Sequence, residues 1–273
     1  MRIALVSLDQ AWEDKVKNRV RVSEQVEEAV SAGAVLVVFP EMTLTGFTMN
    51  LGSAGEDPHD SETVKFFKNL AIDKITIAFG VVHVDAGQGT NKLIVVGQEG
   101  NFVASYTKIH SFSYAQENKY FRAGETPVFF GLNGLCIGLT ICYDLRFPAL
   151  YQALARNCDV IINIANWPER RLEHWDTLLR ARAIENQVFM VGVNRTGVDG
   201  NGLKYERSSK VFGPSGKLIQ PVFSDGLIDV VELDEAAVRE TRTEFPVVSD
   251  RRDDLYAQFY RQSRKRSNGN PLQ

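Results

Sequence analysis

The chain is poor in cysteine and histidine, with three cysteines and four histidines among 273 residues. An odd number of cysteines, without the close pairs that zinc ligands form, argues against a disulfide framework and against a zinc site. Free thiols are typical of reducing compartments. We therefore expect the protein to reside in the cytoplasm.

The chain also lacks a strong charge of one sign and a long apolar run. Its formal net charge is −3, which provides no basic surface for nucleic acid. No apolar stretch approaches the roughly 20 residues that a membrane-spanning helix needs, and the N-terminus enters a strand pattern without a cleavable signal. We expect a soluble globular protein with no nucleic-acid or membrane partner.

Apolar residues make up 44% of the chain, which is enough to bury a substantial core. The N-terminal region predicts a strand at 2–8, a helix at 14–31 and a strand at 34–39, an opening typical of α/β proteins. No repeat, linker or composition break divides the chain, so we predict one domain over residues 1–262 and a polar tail over 263–273. The apolar face of the first helix is predicted to hold Val16, Val20, Val26 and Val30.

The segment 134–148 combines an apolar strand with an abrupt polar turn. The strand pattern ends at Cys142, Tyr143 and Asp144 follow, and Pro148 begins a segment with helical spacing. A helix N-terminus or a nearby cation lowers the pKa of a thiol, which makes Cys142 a candidate nucleophile. Free cysteine is also among the most buried residue types. The residue pattern alone leaves both interpretations open.

Two further charged residues follow predicted strands. Glu41 comes after the apolar run 34–39, and Lys108 comes after the strand pattern 102–106. Ligands collect beyond the carboxyl ends of strands in open α/β sheets, and a partly buried carboxylate beside a thiol can act as a base. Each residue alone has a solvated loop position as its alternative. Together a carboxylate, a cation and a thiol can assemble an amide hydrolase.

In this order and with their neighbours, these residues resemble the nitrilase superfamily of carbon–nitrogen hydrolases, and within it most closely the omega-amidases. The resemblance covers most of the chain. It implies a single-domain α/β fold, a four-layer αββα sandwich whose members pair as homodimers or larger homo-oligomers. The matching segments are 40–42 (PEM), 106–110 (YTKIH), 140–148 (TICYDLRFP), 165–168 (ANWP), 181–187 (ARAIENQ), 245–246 (FP) and 250–252 (DRR).

The resemblance also implies catalytic roles. Glu41 would take the proton from Cys142, and Cys142 would attack an amide carbon to give a thioester that water then cleaves. Lys108 and the backbone N–H of Tyr143 would hold the oxyanion, while Glu117 would position Lys108 and the substrate. This chemistry implies a small-molecule amide as partner, with no metal and no organic cofactor.

Omega-amidases hydrolyse the terminal amide of α-keto acid monoamides such as 2-oxoglutaramate, and the substrate carboxylate needs a cationic clamp. Arg171 is the hypothesis for that clamp because a guanidinium grips a carboxylate bidentately. Arg170 is an equal candidate by position, and a solvated location is the alternative for both. The predicted substrate-binding set is completed by Phe47, Tyr114, Tyr143, Asn166 and Trp167, with core packing as the alternative for the aromatic side chains.

Two other functions compete with an omega-amidase. One is another reaction of the same superfamily, carried out by a different amidase, a carbamoylase or a nitrilase. The other is a binding protein that keeps the fold without catalysis. The presence of Glu41, Lys108 and Cys142 together argues against the binding protein.

Overall fold

The computed structural model describes residues 1–267, with side chains described through residue 262. Sixteen strands and eight helices form within this range. The strands are β1 (Arg2–Val6), β2 (Leu36–Val38), β3 (Gly55–Glu56), β4 (Thr76–Asp85), β5 (Gln88–Val96), β6 (Phe102–Thr107), β7 (Phe129–Leu132), β8 (Leu135–Ile141), β9 (Val160–Ala165), β10 (Phe189–Asn194), β11 (Gly197–Val198), β12 (Lys204–Tyr205), β13 (Lys210–Phe212), β14 (Leu218–Ile219), β15 (Phe223–Asp225) and β16 (Ile228–Glu232). The helices are α1 (Lys15–Ser31), α2 (Leu51–Ala54), α3 (Glu62–Ala71), α4 (Glu117–Tyr120), α5 (Pro148–Leu154), α6 (Leu172–Asn186), α7 (Ala237–Glu244) and α8 (Asp253–Ser267).

Two large sheets carry the fold. The first has eight strands in the order β15-β16-β1-β2-β4-β5-β6, with β3 paired to β4, and the second has six strands in the order β14-β13-β10-β9-β8-β7. Strands β1, β2 and β4 are parallel neighbours, as are β8, β9 and β10. Parallel neighbours place their carboxyl ends at the same edge of a sheet, which prepares one edge for a site.

Each strand contributes side chains to two cores, because successive side chains point to opposite faces of the sheet. In β1, Ile3 and Leu5 enter the core between the two sheets, whereas Ala4 and Val6 face α1 and α3. On the other sheet, the outward side chains pack against α5 and α6. The layers are therefore helix, sheet, sheet and helix, and the predicted αββα sandwich is confirmed.

The predicted apolar face of α1 is wrong in part. Val26 is buried, but Val16 and Val20 are 76% and 58% exposed. The buried stripe instead passes through Asn18, whose side chain bonds the backbone of Ala11 and the carbonyl of Leu44. A polar residue that satisfies loop backbone groups is invisible to a pattern based on hydrophobicity.

Two element ends bear on the chain's boundaries and turns. The hairpin between β4 and β5 is tight: β4 runs through Asp85 and β5 begins at Gln88, so only Ala86 and Gly87 form the turn. At the C-terminus, α8 continues through Ser267 into the predicted polar tail, and residues 268–273 lie outside the described residues. The domain boundary at 262 stays a prediction. Across residues 1–267, no helix has the length and apolar character that crossing a membrane requires.

Candidate active site

The ends of four strands meet at one edge of the two facing sheets. Glu41 follows β2, Lys108 follows β6, Cys142 follows β8 and Asn166 follows β9. Lys108 Nζ lies 2.9 Å from Glu41 Oε1, the Asn166 N–H donates to Glu41 Oε2 at 3.1 Å, and the Asn166 carbonyl lies 4.0 Å from Cys142 Sγ. The structure thus brings together the carboxylate, the cation and the thiol that the sequence analysis selected.

Glu41 is fully buried, and neighbouring residues bond its backbone carbonyl as well as its side chain. The Gln10 amide donates to the carbonyls of Glu41 and Met42, and the Asn166 amide donates to the Glu41 carbonyl at 2.7 Å. Met42 has a φ of 47°, which makes the turn sharp. Gly80 on β4 permits this close approach, because a Cβ there would lie 2.2 Å from Met42 N. The main chain at Glu41 is therefore held in one conformation, which sets the position of the carboxylate.

Lys108 is clamped by two carboxylates. Its Nζ donates to Glu41 Oε1 at 2.9 Å and to both Glu117 oxygens at 3.1 and 2.9 Å, and all three side chains are buried. The Phe112 N–H fixes Glu117 with a 2.6 Å bond to Oε2. Burial alone would disfavour the ammonium, but Glu117 and Glu41 outweigh it and raise the pKa of Lys108. The two carboxylates thus favour the charged form of Lys108.

Cys142 begins a 3₁₀ turn over Cys142–Arg146 directly after β8. Its φ is 46°, a left-handed backbone conformation that costs a non-glycine residue about 1–3 kcal/mol and is characteristic of functional sites. Burial, and next the charge of Glu41, raise the pKa of the Cys142 thiol, while Lys108 opposes them. The expectation of a lowered thiol pKa is wrong, because desolvation and the charge of Glu41 outweigh the charge of Lys108. The resting residue is a thiol.

Asp144 organises the turn that presents Cys142. Its buried carboxylate accepts the Tyr106 hydroxyl at 2.8 Å and the Ile141 N–H at 3.0 Å through Oδ2, and the His110 N–H at 3.0 Å through Oδ1. Tyr106 and His110 flank Lys108 on either side in sequence. One carboxylate therefore ties the turn of the thiol to the strand end of the cation. Asp144 belongs to the matching segment 140–148, and its position in sequence alone does not reveal this role.

A cavity of about 580 Å³ opens above Cys142 and Lys108. Every predicted substrate-binding residue lines it, namely Phe47, Tyr114, Tyr143, Asn166, Trp167 and Arg171, together with Arg170. Glu41 and Glu117 are absent from the lining and lie behind Lys108. Asn166 has a second role besides lining the cavity, because its backbone N–H and its side-chain amide both donate hydrogen bonds to Glu41. The thiol and the ammonium are the reactive groups that a ligand meets.

The cavity wall carries three arginines, of which the sequence analysis missed Arg146. Among residues with described side chains, no carboxylate forms a salt bridge with Arg146, Arg170 or Arg171. Arg146 lies 4.7 Å from the Trp167 ring centre and Arg171 lies 5.5 Å from that of Phe112. Burial and the charge of Arg170 lower the pKa of Arg171. Unpaired guanidinium groups on one wall favour a ligand with an anionic end.

The two acidic residues of the cavity do not neutralise these arginines. Glu13 accepts hydrogen bonds from the Thr48 hydroxyl at 2.6 Å and the Asn50 amide at 3.0 Å. Asp199 accepts the Tyr205 hydroxyl at 2.9 Å and two backbone N–H groups. Both carboxylates are thus engaged by neutral donors, and the positive wall remains available.

Comparison with known proteins extends over nearly the whole chain. Residues 2–243 match the carbon-nitrogen hydrolase family. The chain is 33% identical over 251 residues to omega-amidase YafV of Escherichia coli (strain K12), covering 92% of this chain and 96% of that protein. It is 31% identical over 245 residues to 2-oxoglutaramate amidase of Bacillus subtilis (strain 168), covering 89% and 94%. A crystal structure of a CN-hydrolase superfamily protein from Xanthomonas campestris matches with a TM-score of 0.85 and 31% identity, over 92% of this chain and 97% of that one.

Proposed function

Because this chain belongs to the carbon–nitrogen hydrolase family and is an amidase of the nitrilase superfamily, we propose that it hydrolyses the terminal amide of a small α-keto acid monoamide through a thioester on Cys142. The geometry that supports this proposal most directly is the buried contact of Lys108 with Glu41, placed beside a thiol at the base of a cavity. The curated omega-amidase and 2-oxoglutaramate amidase relatives suggest the substrate class.

The first half-reaction forms the thioester. Glu41 removes the proton of the Cys142 thiol, and Sγ attacks the amide carbon to give a tetrahedral oxyanion. Glu41 then protonates the amide nitrogen, the C–N bond breaks and ammonia leaves. The balance is one amide plus one thiol giving one thioester plus ammonia. The raised thiol pKa makes the base necessary, since the resting sulfur is protonated.

The second half-reaction restores the enzyme. Glu41 takes a proton from water, the hydroxide attacks the thioester, and the acid product leaves as the thiol is reprotonated. In both steps Lys108 and the Tyr143 N–H stabilise the oxyanion. Such a donor contributes about 10²–10³ in rate. The ammonium has three hydrogens: one bonds Glu41, one is shared between the two Glu117 oxygens, and the third can donate into the cavity.

Ammonia release from four compounds tests the proposed function: 2-oxoglutaramate, glutamine, a simple nitrile and an N-carbamoyl amino acid. We expect turnover of 2-oxoglutaramate, with a higher kcat/KM than for glutamine. Activity on the nitrile alone, or on the carbamoyl compound alone, would move the protein to the corresponding reaction of the superfamily. Absence of turnover with all four would favour a binding protein.

Arg171→Ala is expected to raise KM for 2-oxoglutaramate by about 10–100-fold, the effect of losing one hydrogen-bonded charge pair of roughly 1.5–3 kcal/mol. KM for an uncharged amide such as propionamide should change by less than about threefold. Steady-state kinetics with both amides measure the difference. Arg170→Ala is the matched control, because Arg170 is exposed whereas Arg171 is half-buried. Equal effects of Arg171→Ala on both amides would count against the clamp.

Two further properties rest on the sequence: the free thiols suggest the compartment, and the family resemblance suggests the assembly. We propose that the protein acts in the cytoplasm and that it assembles as a homodimer or a larger homo-oligomer. Neither property is needed for the chemistry above, since all the proposed catalytic side chains come from one chain.

A further inference from the structure

Asn91 contacts three parts of the candidate site. It lies on β5 and is 1% exposed. Its side-chain Nδ2 donates to Glu41 Oε1 at 2.8 Å and to Glu117 Oε1 at 3.1 Å, and its backbone carbonyl accepts the Lys108 N–H at 2.9 Å. One neutral residue therefore bonds both buried carboxylates and the backbone of the lysine between them.

The charge of the buried cluster explains why such a residue is needed. Glu41 and Glu117 contribute two negative charges and Lys108 one positive charge, so the cluster with a neutral thiol carries a net charge of about −1 in a region shielded from water. Neutral donors must stabilise the excess charge. Asn91 supplies two such hydrogens, and the backbone N–H groups of Asn166 and Phe112 supply the others.

The two oxygens of Glu41 are not equivalent. Oε1 accepts from Lys108 Nζ and from Asn91 Nδ2, whereas Oε2 accepts only the Asn166 N–H within the described part of the chain. An oxygen with two strong donors is a poor proton acceptor, because protonation would break those hydrogen bonds. Oε2 keeps a free lone pair, and it lies against the residue whose carbonyl contacts Cys142 Sγ.

We propose that Asn91 is a positioning residue, which anchors Glu41 through Oε1 and leaves Oε2 as the oxygen that carries the proton. This inference rests on the proposed role of Glu41 as the base. The orientation of the Asn91 amide is fixed, since the reversed amide would direct its oxygen at two carboxylates.

Asn163 provides a matched control. It is fully buried, its Nδ2 donates to the Thr140 hydroxyl and the Tyr151 hydroxyl, each at 3.0 Å, and its Oδ1 has no donor among the described residues. It shares the structural role of a buried donor amide but contacts neither Glu41 nor Lys108. Asn91→Ala and Asn163→Ala therefore separate an effect on the base from an effect on packing.

The first test is the pH dependence of amide hydrolysis. Asn91→Ala should lower kcat by about 10²-fold, a cost typical of a misplaced catalytic group, and change KM by less than about threefold, because Asn91 does not line the cavity. Removal of the 2.8 Å hydrogen bond to Glu41 Oε1 disfavours the charged form of the carboxylate, so the acid limb of kcat/KM should move to higher pH. An unmoved limb, or the same movement in Asn163→Ala, would overturn the proposal.

The second test needs no amide substrate. The rate at which iodoacetamide alkylates Cys142, followed by peptide mass analysis, measures how readily the thiol loses its proton at each pH. The acid limb of this rate profile should move to higher pH in Asn91→Ala and not in Asn163→Ala. Asn91→Ser, which retains one donor, should show a smaller movement in the same direction and replaces the alanine variant if that variant shows no cooperative thermal unfolding. A wild type without amidase activity would refute the proposed function, while the alkylation profiles would still decide for or against Asn91.

Discussion

Cys142→Ala is expected to abolish ammonia release, with a fall of about 10⁶-fold that reaches the background rate, as for removal of other covalent nucleophiles. No other thiol can replace it, because the remaining cysteines, Cys136 and Cys158, are absent from the cavity wall. The fold should persist, since alanine keeps the Cβ of Cys142 and Asp144 holds the turn through the Ile141 N–H without help from the thiol. Steady-state ammonia assays and thermal unfolding measure the two effects.

Cys136→Ala is the matched control for this variant. Cys136 lies on the same strand, β8, and is half-buried, with its Sγ 3.9 Å from that of Cys158. Its replacement should leave kcat within about twofold of the wild-type value, since it touches no residue of the candidate site. Residual turnover in Cys142→Ala, or loss of turnover in Cys136→Ala, would refute the assignment of the nucleophile.

Glu41→Gln is expected to lower kcat by about 10²–10⁴-fold, the usual contribution of a general base. The same change should lower the pKa of the Cys142 thiol, because the charge of Glu41 raises it and Lys108 lowers it in the intact site. The sign is decisive: the variant should contain more thiolate at neutral pH and still react more slowly. A proton shuttle explains that combination, whereas simple activation of the thiol does not.

The ultraviolet absorbance of the thiolate as a function of pH measures the second effect, with Cys142→Ala as the blank. Glu13→Gln serves as the control, because Glu13 is a carboxylate on the cavity wall that bonds Thr48 and Asn50 rather than the catalytic cluster. It should leave the thiol pKa in place. A higher thiol pKa in Glu41→Gln, or near-normal turnover, would contradict the role of Glu41 as base.

The parts of the site that follow strands could be predicted from the sequence. Glu41, Lys108 and Cys142 were accessible because each polar residue directly follows an apolar run, and strand ends are where sites collect. Glu117 came only from the family resemblance, since nothing in the loop 111–125 separates it from other carboxylates. Asn91 was missed because it lies inside β5, where a single polar residue in an apolar strand gives no sign of its partners.

The properties that depend on burial could not be predicted. The sign of the Cys142 pKa shift follows from desolvation and from Glu41, and both require knowledge of which sheets face each other. The alternation of strands and helices indicated an α/β protein, but the face-to-face packing of the sheets came from the resemblance. The apolar face predicted for α1 included Val16 and Val20 for the same reason. The sequence of a single helix does not show that Asn18 is buried against the rest of the fold.

The intact mass of the protein during turnover tests the central claim most directly. The wild type would be mixed with 2-oxoglutaramate, quenched in acid within the first turnovers and analysed by mass spectrometry before and after digestion. We predict an added mass equal to the substrate minus ammonia, located on the peptide that contains Cys142 and absent from Cys142→Ala. Ammonia release without any adduct on Cys142, or with the adduct on another residue, would contradict the thioester mechanism.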